Sequence, residues 1–381
     1  MMTAGDLRDS PKIPWYIWLA ALAVTSAIVG IQWDISWHRS IGRDAFLTPA
    51  HIAIYLCGIL AGIFCAYLIF QATFVNGGLR AASVNVWGLR GPLGAFLAAW
   101  GGFAMLTSAP FDNWWHAAYG LDVKILSPPH VVLAMGIFAI QGGAALLVAA
   151  QRNRATGTQR ALLDWLFLYV GGMGLLLSMA LVLEYTGVPL QHSALFYEAM
   201  CIPAPFVLAI IAFASGKRFA ATFVAGVYTL FTAALVWILP LFPAEPKLGP
   251  VYHQVTHFVP NGFPLLLIVP ALALDLFWAR FPQMNAWLKS AVSGVLFLAA
   301  FAAVQWPFAA FLQSAAAQNR FFDSGDFDYL TRPNSLQARH LFVGPGEPVH
   351  FWTGMAIAAL WAFLAVRLGM ARGRALRQVQ R

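Results

Sequence analysis

Residues 31–55 read IQWDISWHRSIGRDAFLTPAHIAIY. They close one apolar stretch, turn through a short polar loop and enter a second apolar stretch behind Thr48-Pro49. This is the pattern of a helical hairpin with its polar residues gathered at the closed end. Asp34 and His38 are four apart and share one helix face. His51 arrives third in the next helix. Proline suits the first helical position because its missing N–H has no intrahelical partner there, and the residue before it is of capping type. A histidine in that first turn lies at the positive end of the helix dipole, which disfavours imidazolium and leaves the ring available to a metal. Asp34, His38 and His51 are therefore a candidate three-ligand metal site.

The arrangement is written twice. Residues 111–130, FDNWWHAAYGLDVKILSPPH, repeat it as Asp112, His116 and His130 behind Ser127-Pro128. Five loops are each followed by a predicted helix that opens near a histidine: His51, His130, His192, His257 and His350. Three of these openings, TPAH, SPPH and EPVH, are alike. A single histidine at a membrane interface ordinarily bonds to a loop or a headgroup, and His192, His340 and His350 are read that way. Asp44 and Asp122 each follow their motif histidine by six positions. They suit acceptors for the second ring N–H, loop caps or, for Asp44, a partner of Arg43.

The rest of the composition sets the fold. Apolar residues make up 60% of the 381, charged residues 10%, and mean hydropathy is +0.70. Crossing a hydrocarbon core ~30 Å thick takes roughly 20 residues of helix. Ten stretches qualify, near 14–33, 51–74, 91–110, 130–150, 161–183, 192–215, 219–242, 257–278, 288–311 and 349–370. The expected fold is all-α: a polytopic membrane protein of about ten transmembrane helices. The head MMTAGDLRDSPK carries no A-x-A-like cleavage site, so the first stretch reads as a retained helix.

With the N-terminus inside, the inner segments hold Arg8, Lys12, Arg80, Arg90, Arg152, Arg154, Arg160, Lys217, Arg218, Arg280 and Lys289. With Arg367, Arg372, Arg374, Arg377 and Arg381 of the tail, that is 16 of 23 basic residues. The expectation is N-in and C-in, with all nine histidines on the outer side of a bacterial-type inner membrane. The sequence pI near 9.6 then reflects this bias and an anionic lipid leaflet, not nucleic-acid binding. Residues 1–150 carry both repeated sites. Residues 151–381 add further helices and an outer loop at about 312–348 containing FFDSGDFDY.

Other polar residues admit their own readings. His253 and His257 form an H-x3-H pair expected on one face of a helix start, as a zinc-dependent membrane hydrolase would need. No glutamate lies between them, so the HExxH motif is absent. Glu184 and Glu198 flank His192 at a depth suited to proton handling or, for Glu184, facing outer water. Cys57, Cys65 and Cys201 lie within apolar stretches without CxxC spacing and read as packing residues. Trp33, Trp37, Trp114 and Trp115 fit an interfacial belt and an apolar approach to the two sites. A bis-histidine haem would need facing histidines at mid-depth, which the sequence does not offer.

One carboxylate and two imidazoles suit Zn²⁺, Cu²⁺ or Fe²⁺, and ligand type alone does not choose. The wording of residues 33–56 adds a resemblance. Asp34, His38, Arg43-Asp44, Thr48-Pro49 and His51 match, in order and spacing, the metal-binding segment of the C subunit of copper membrane monooxygenases. That family includes particulate methane monooxygenase and ammonia monooxygenase. Its second copper site, built from Asn, His and His, corresponds in place and spacing to Asp112, His116 and His130, with Asp112 standing where the family has asparagine. The resemblance covers residues 30–135. It implies copper as cofactor, zinc or iron being the lesser alternatives. It also implies O₂-driven oxidation of a small molecule such as an alkane or ammonia, further membrane subunits as partners, and a quinol as electron donor. A non-catalytic copper carrier is the alternative from another class.

Overall fold

The computed structural model describes residues 12–75, 77–120, 127–335 and 348–380. Lengths and apolarity make this an all-α, multi-pass membrane protein. Among the described residues nine helical segments can cross a membrane: Trp15–Ser40, Pro49–Val75, Leu93–Tyr119, Pro128–Arg154, Gly157–Leu181, Ala194–Ser215, Ala220–Leu241, Ala286–Leu312 and His350–Leu376. We name α1 Trp15–Ser40, α2 Pro49–Phe70, α3 Gly77–Ala81, α4 Leu93–Tyr119, α5 Pro128–Arg154, α6 Gly157–Leu181, α7 Ala194–Met200 and α8 Pro203–Ser215. The series continues with α9 Ala220–Ile238, α10 Ile268–Arg280, α11 Ala286–Leu312 and α12 Pro348–Leu376. Two strands, Val84–Val86 and Leu89–Gly91, make one small antiparallel hairpin.

The span expected at 257–278 is not a continuous helix. Residues 244–267 run irregularly, and α10 begins only at Ile268 and covers 13 residues. Pro260, Gly262 (φ +105°) and Pro264 break the helical path,. Hydropathy counts apolar side chains and misses such breaks. Nor do all five histidines open helices. His51, His130 and His350 are third residues of α2, α5 and α12, but His192 lies in a turn before α7 and His257 in an isolated bridge with Pro243. The H-x3-H helix start at His253–His257 is accordingly absent.

The described chain forms two compact units. One comprises residues up to Ile28, Ala53–Gly174 and the tail from Arg374; the other comprises Val29–Ile52 and Leu175–Gly373. Within the first, α4 and α5 pack backbone to backbone. A Cβ on Gly94 would lie 2.5 Å from the Gly143 carbonyl oxygen, and one on Gly101 2.5 Å from that of Gly136. The seven-residue spacing puts these glycines two turns apart on each helix, a small-residue seam that lets membrane helices approach closely. At one end of this unit Arg152, 1% exposed, is bonded through Nε to Asp164 at 2.6 Å, and Arg160 donates to the Arg152 carbonyl at 2.6 Å.

In the second unit the irregular segment lies as a strap along the polar face of α1. Ser36 donates to the Val259 carbonyl (2.8 Å), Val259 N–H donates to Ser40 (2.7 Å), and Asn261 donates to the Gln32 side chain (2.7 Å) and carbonyl (3.1 Å). Arg39 donates to the Pro260 carbonyl. Gln32, Ser36 and Ser40 repeat every four residues, so one helix stripe supplies bonds that the strap lacks within itself. Elsewhere in this unit, buried Asp275 on α10 accepts from the N–H groups of Ala221 and Thr222, capping α9 from a distance.

The glycine seam gives a direct expectation. Gly136→Val should destabilise the protein by about 1–3 kcal/mol through overpacking, lowering the thermal midpoint in detergent. Gly62→Ala, where nothing lies within 4 Å, should leave it unchanged; equal midpoints for the two variants would contradict the seam.

Candidate metal centre

The sequence repeat is a structural repeat. In each copy a carboxylate and an imidazole project from the last turns of one helix, and the second imidazole comes from the first turn of the next. Asp34 and His38 end α1 and His51 opens α2; Asp112 and His116 end α4 and His130 opens α5. Thr48 receives the His51 N–H through its hydroxyl at 3.4 Å, whereas Ser127 makes no side-chain cap.

In the first cluster each imidazole approaches both carboxylates through Nε2. His51 Nε2 lies 3.2 Å from Asp34 Oδ1, and His38 Nε2 lies 3.8 Å from Asp34 Oδ2. Asp44 Oδ2 stands 3.4 Å from both Nε2 atoms. Asp34, His38 and Asp44 offer donor atoms within 4.8 Å of one another and can share one ion; His51, the third ligand expected from the sequence, is not in that group. Asp44 thus meets both rings at Nε2. The other ring nitrogen of His51, Nδ1, lies 3.0 Å from the Ala45 carbonyl. A carbonyl only accepts, so Nδ1 carries a proton and Nε2 is the ring atom that faces the carboxylates,.

That arrangement suits a proton or a metal ion between the groups. Lone pairs of nitrogen and carboxylate oxygen repel unless a proton or a metal ion lies between them. Most of the separations exceed the 2.7–3.2 Å of ordinary N–H···O bonds. Asp34 Oδ1 and His38 Nδ1 are buried and make no hydrogen bond, a costly condition for a carboxylate that a bound cation relieves. The residues fit a metal.

The second cluster is looser. Asp112 uses one oxygen toward each ring: Oδ2 is 3.4 Å from His116 Nε2 and Oδ1 is 3.5 Å from His130 Nε2. The Gly120 carbonyl, 3.2 Å from His116 Nδ1, plays the part of Ala45. Asp112 Oδ1 is buried and accepts no hydrogen bond. Phe111, Trp114, Trp115 and Tyr119 pack edge-to-face and stacked beside it. Asp122 lies outside the described residues, as does His340.

The loop between α1 and α2 is held from several sides. Lys247 N–H donates to the Ile41 carbonyl (2.9 Å), and the Trp37 indole donates to the Arg43 carbonyl (2.9 Å). Gly42 adopts φ +85°, and a Cβ there would fall within 1.5 Å of the Tyr329 hydroxyl. Trp33 and Trp37 pack with buried Ile41, Leu239, Ala244 and Phe258. The aromatic residues beside Asp34 and His38 are thus part of an apolar wall.

The remaining candidates sit elsewhere. His192, 3% exposed, donates from Nε2 to the Trp306 carbonyl at 2.9 Å, and burial lowers its pKa against that bond. Glu184 lies in the turn Leu183–Tyr185 and Glu198 on α7. His253 stacks on Phe327. His257 Nε2 lies 3.0 Å from Asp326 Oδ2. Sequence reasoning missed this pair and its neighbour Asp323. Burial, then the hydrogen bond with Asp326 and its charge, push the Asp323 carboxyl up to about 9. Burial works to raise Asp326 as well, but hydrogen bonds from Asp323 and His257 outweigh it and hold that carboxyl below the usual range. The three free cysteines are buried, as packing residues should be.

No protein-family profile, curated protein or solved structure matches the chain.

The Asp323 shift has a signed consequence. Unfolded, the group ionises near 3.8; folded, near 9. Between those values the folded state keeps a proton the unfolded state has lost, so this group's contribution falls as pH rises. Asp323→Asn has no proton to lose and should gain on the parent steadily across that window in thermal midpoint. A pH-independent difference would contradict the neutral carboxyl.

Proposed function

We propose that this protein is a copper-dependent subunit of a membrane monooxygenase that oxidises a small molecule such as an alkane or ammonia with O₂. The observation that carries the reading is the first cluster: Nε2 atoms of two imidazoles and oxygens of two carboxylates facing one another at 3.2–3.8 Å. The sequence wording from Asp34 to His51 then favours copper among the metals such donors accept. Asp34, His38 and His51 would hold one ion, and Asp112, His116 and His130 a second. Copper supplies reductive activation of O₂ when bound. The chain supplies the donors, the backbone carbonyls that fix ring tautomers, and the aromatic wall that keeps water from an apolar substrate.

The overall balance for a hydrocarbon is R–H + O₂ + quinol → R–OH + H₂O + quinone, the quinol giving two electrons and two protons. Further membrane subunits and the surrounding lipid are the partners of this reading, and no nucleic acid is involved. The N-in/C-in arrangement puts both clusters at the outer face of a bacterial-type inner membrane. It requires the strap and α10 together to make a tenth crossing. A 13-residue helix rises only about 20 Å, and non-helical backbone at membrane depth persists only when buried in protein with its polar groups bonded. The Gln32, Ser36 and Ser40 stripe supports this at Val259–Asn261 by bonding to that part of the strap.

Membranes containing the protein, supplied with copper and a quinol, should consume O₂ in a substrate-dependent manner, and His38→Ala should abolish this. Uptake that survives His38→Ala contradicts the proposal. A copper-loaded preparation that turns over neither alkanes nor ammonia, yet passes copper to an acceptor, establishes the carrier in its place.

A further inference from the structure

We infer that the end of the first unit at which α5 meets α6 binds the phosphodiester headgroup of an anionic phospholipid through Arg154 and Arg377. The inference is independent of the metal clusters and of the reaction proposed for them.

The cluster begins with Arg152. It is buried, with Nε 2.6 Å from Asp164 Oδ1, and Arg160 approaches the same oxygen at 3.3 Å. One carboxylate oxygen thus serves two guanidiniums. The next residues of α5 hold the tail against this point. Asn153 donates through Nδ2 to the carbonyls of Val379 (2.8 Å) and Leu376 (3.3 Å), and Arg154 donates to that of Gln380 (3.1 Å). Arg377 is carried in with the tail and stands within electrostatic reach of Arg152.

Arg154 and Arg377 are the groups left to act on a ligand. Both are exposed, and among the described residues neither pairs with a carboxylate. Arg154 gives its bonds to neutral oxygens, the Gln380 carbonyl and, at 3.2 Å, the Gln151 side chain. Neutral hydrogen bonds therefore gather like charges, at a Coulombic cost that an oxyanion between them relieves. A guanidinium offers paired N–H donors that fit phosphate oxygens, and it keeps its charge at any ordinary pH.

The surroundings favour a lipid as the source of that phosphate. Arg154 lies within electrostatic reach of Tyr16. Trp15, Tyr16 and Tyr67 pack together there, with ring centroids 4.8–6.3 Å apart. Tryptophan and tyrosine gather at headgroup depth. Further along, α1 turns Leu22 outward and α2 turns Ile59 and Ile63 outward, an apolar flank for acyl chains. A basic patch at headgroup level beside such a flank suits an anionic lipid; a free oxyanion would leave the flank unused.

The full-length protein in a neutral detergent is mixed with equal amounts of dioleoylphosphatidylglycerol and dioleoylphosphatidylcholine. Native mass spectrometry then counts the lipid retained per chain. The anionic lipid should be retained in preference. Arg154→Gln/Arg377→Gln alters only exposed side chains and should weaken that binding on the order of tenfold or more, since each basic residue near an anionic surface contributes about fivefold. Asn153→Ala keeps every charge but frees the tail, and should weaken binding as well. Arg218→Gln/Arg280→Gln removes two arginines expected on the same side of the membrane but outside the cluster, and should leave binding unchanged. Equal retention of the two lipids, equal losses in the two double variants, or unchanged binding in Asn153→Ala overturns the inference. Displacement of the lipid by inorganic phosphate at matched ionic strength reassigns the cluster to a free oxyanion and overturns it too.

Discussion

Imidazole lone pairs and carboxylate oxygens do not stay face to face without a positive charge between them. In this protein the Nε2 atoms of His38 and His51 meet the Asp34 and Asp44 carboxylates, and those of His116 and His130 meet Asp112, so a proton or a metal ion must supply that charge. Much of the surrounding structure serves to hold them so. Helix ends place aspartate and histidine on one face, a proline-started helix brings the opposing ring, and the carbonyls of Ala45 and Gly120 take the second nitrogens of His51 and His116. Taken alone, each feature is ordinary. Together they gather negative charge and lone pairs at the edge of an apolar fold, where water can only partly relieve them.

The two compact units solve a shared membrane problem differently. In one, α4 and α5 meet through glycines, so that close backbone packing replaces large side chains and sets the distance between Asp112 and His130. In the other, a polar stripe on α1 binds an irregular strap. Gln32, Ser36 and Ser40 look out of place in an apolar helix until the strap is seen to need their bonds. The opposite face of the same helix end carries Asp34 and His38, so one short stretch supports both a fold contact and the candidate site.

The sequence made the helical class and six of the seven facing donors legible, because the i, i+4 pairing and the capped Thr-Pro-x-His and Ser-Pro-x-His openings are local signals. Asp44 was visible only as a residue six positions after its histidine, a spacing that does not tell which ring nitrogen it meets. That depends on the left-handed turn at Gly42 and on Tyr329, far along the chain. The strap was illegible for a related reason. Residues 257–278 are apolar enough for a span, and their partners on α1 lie more than two hundred positions away, as in the Ser36–Val259 bond. His257 and Asp326, 69 positions apart, likewise share no local pattern.

Metal content tests the central claim most directly. The purified full-length protein and its His38→Ala/His51→Ala variant would be equilibrated with copper, freed of loosely bound ions and analysed for metal per chain. The account predicts that the double variant, still folded, loses one ion relative to the parent. Equal metal content in the two proteins would contradict it.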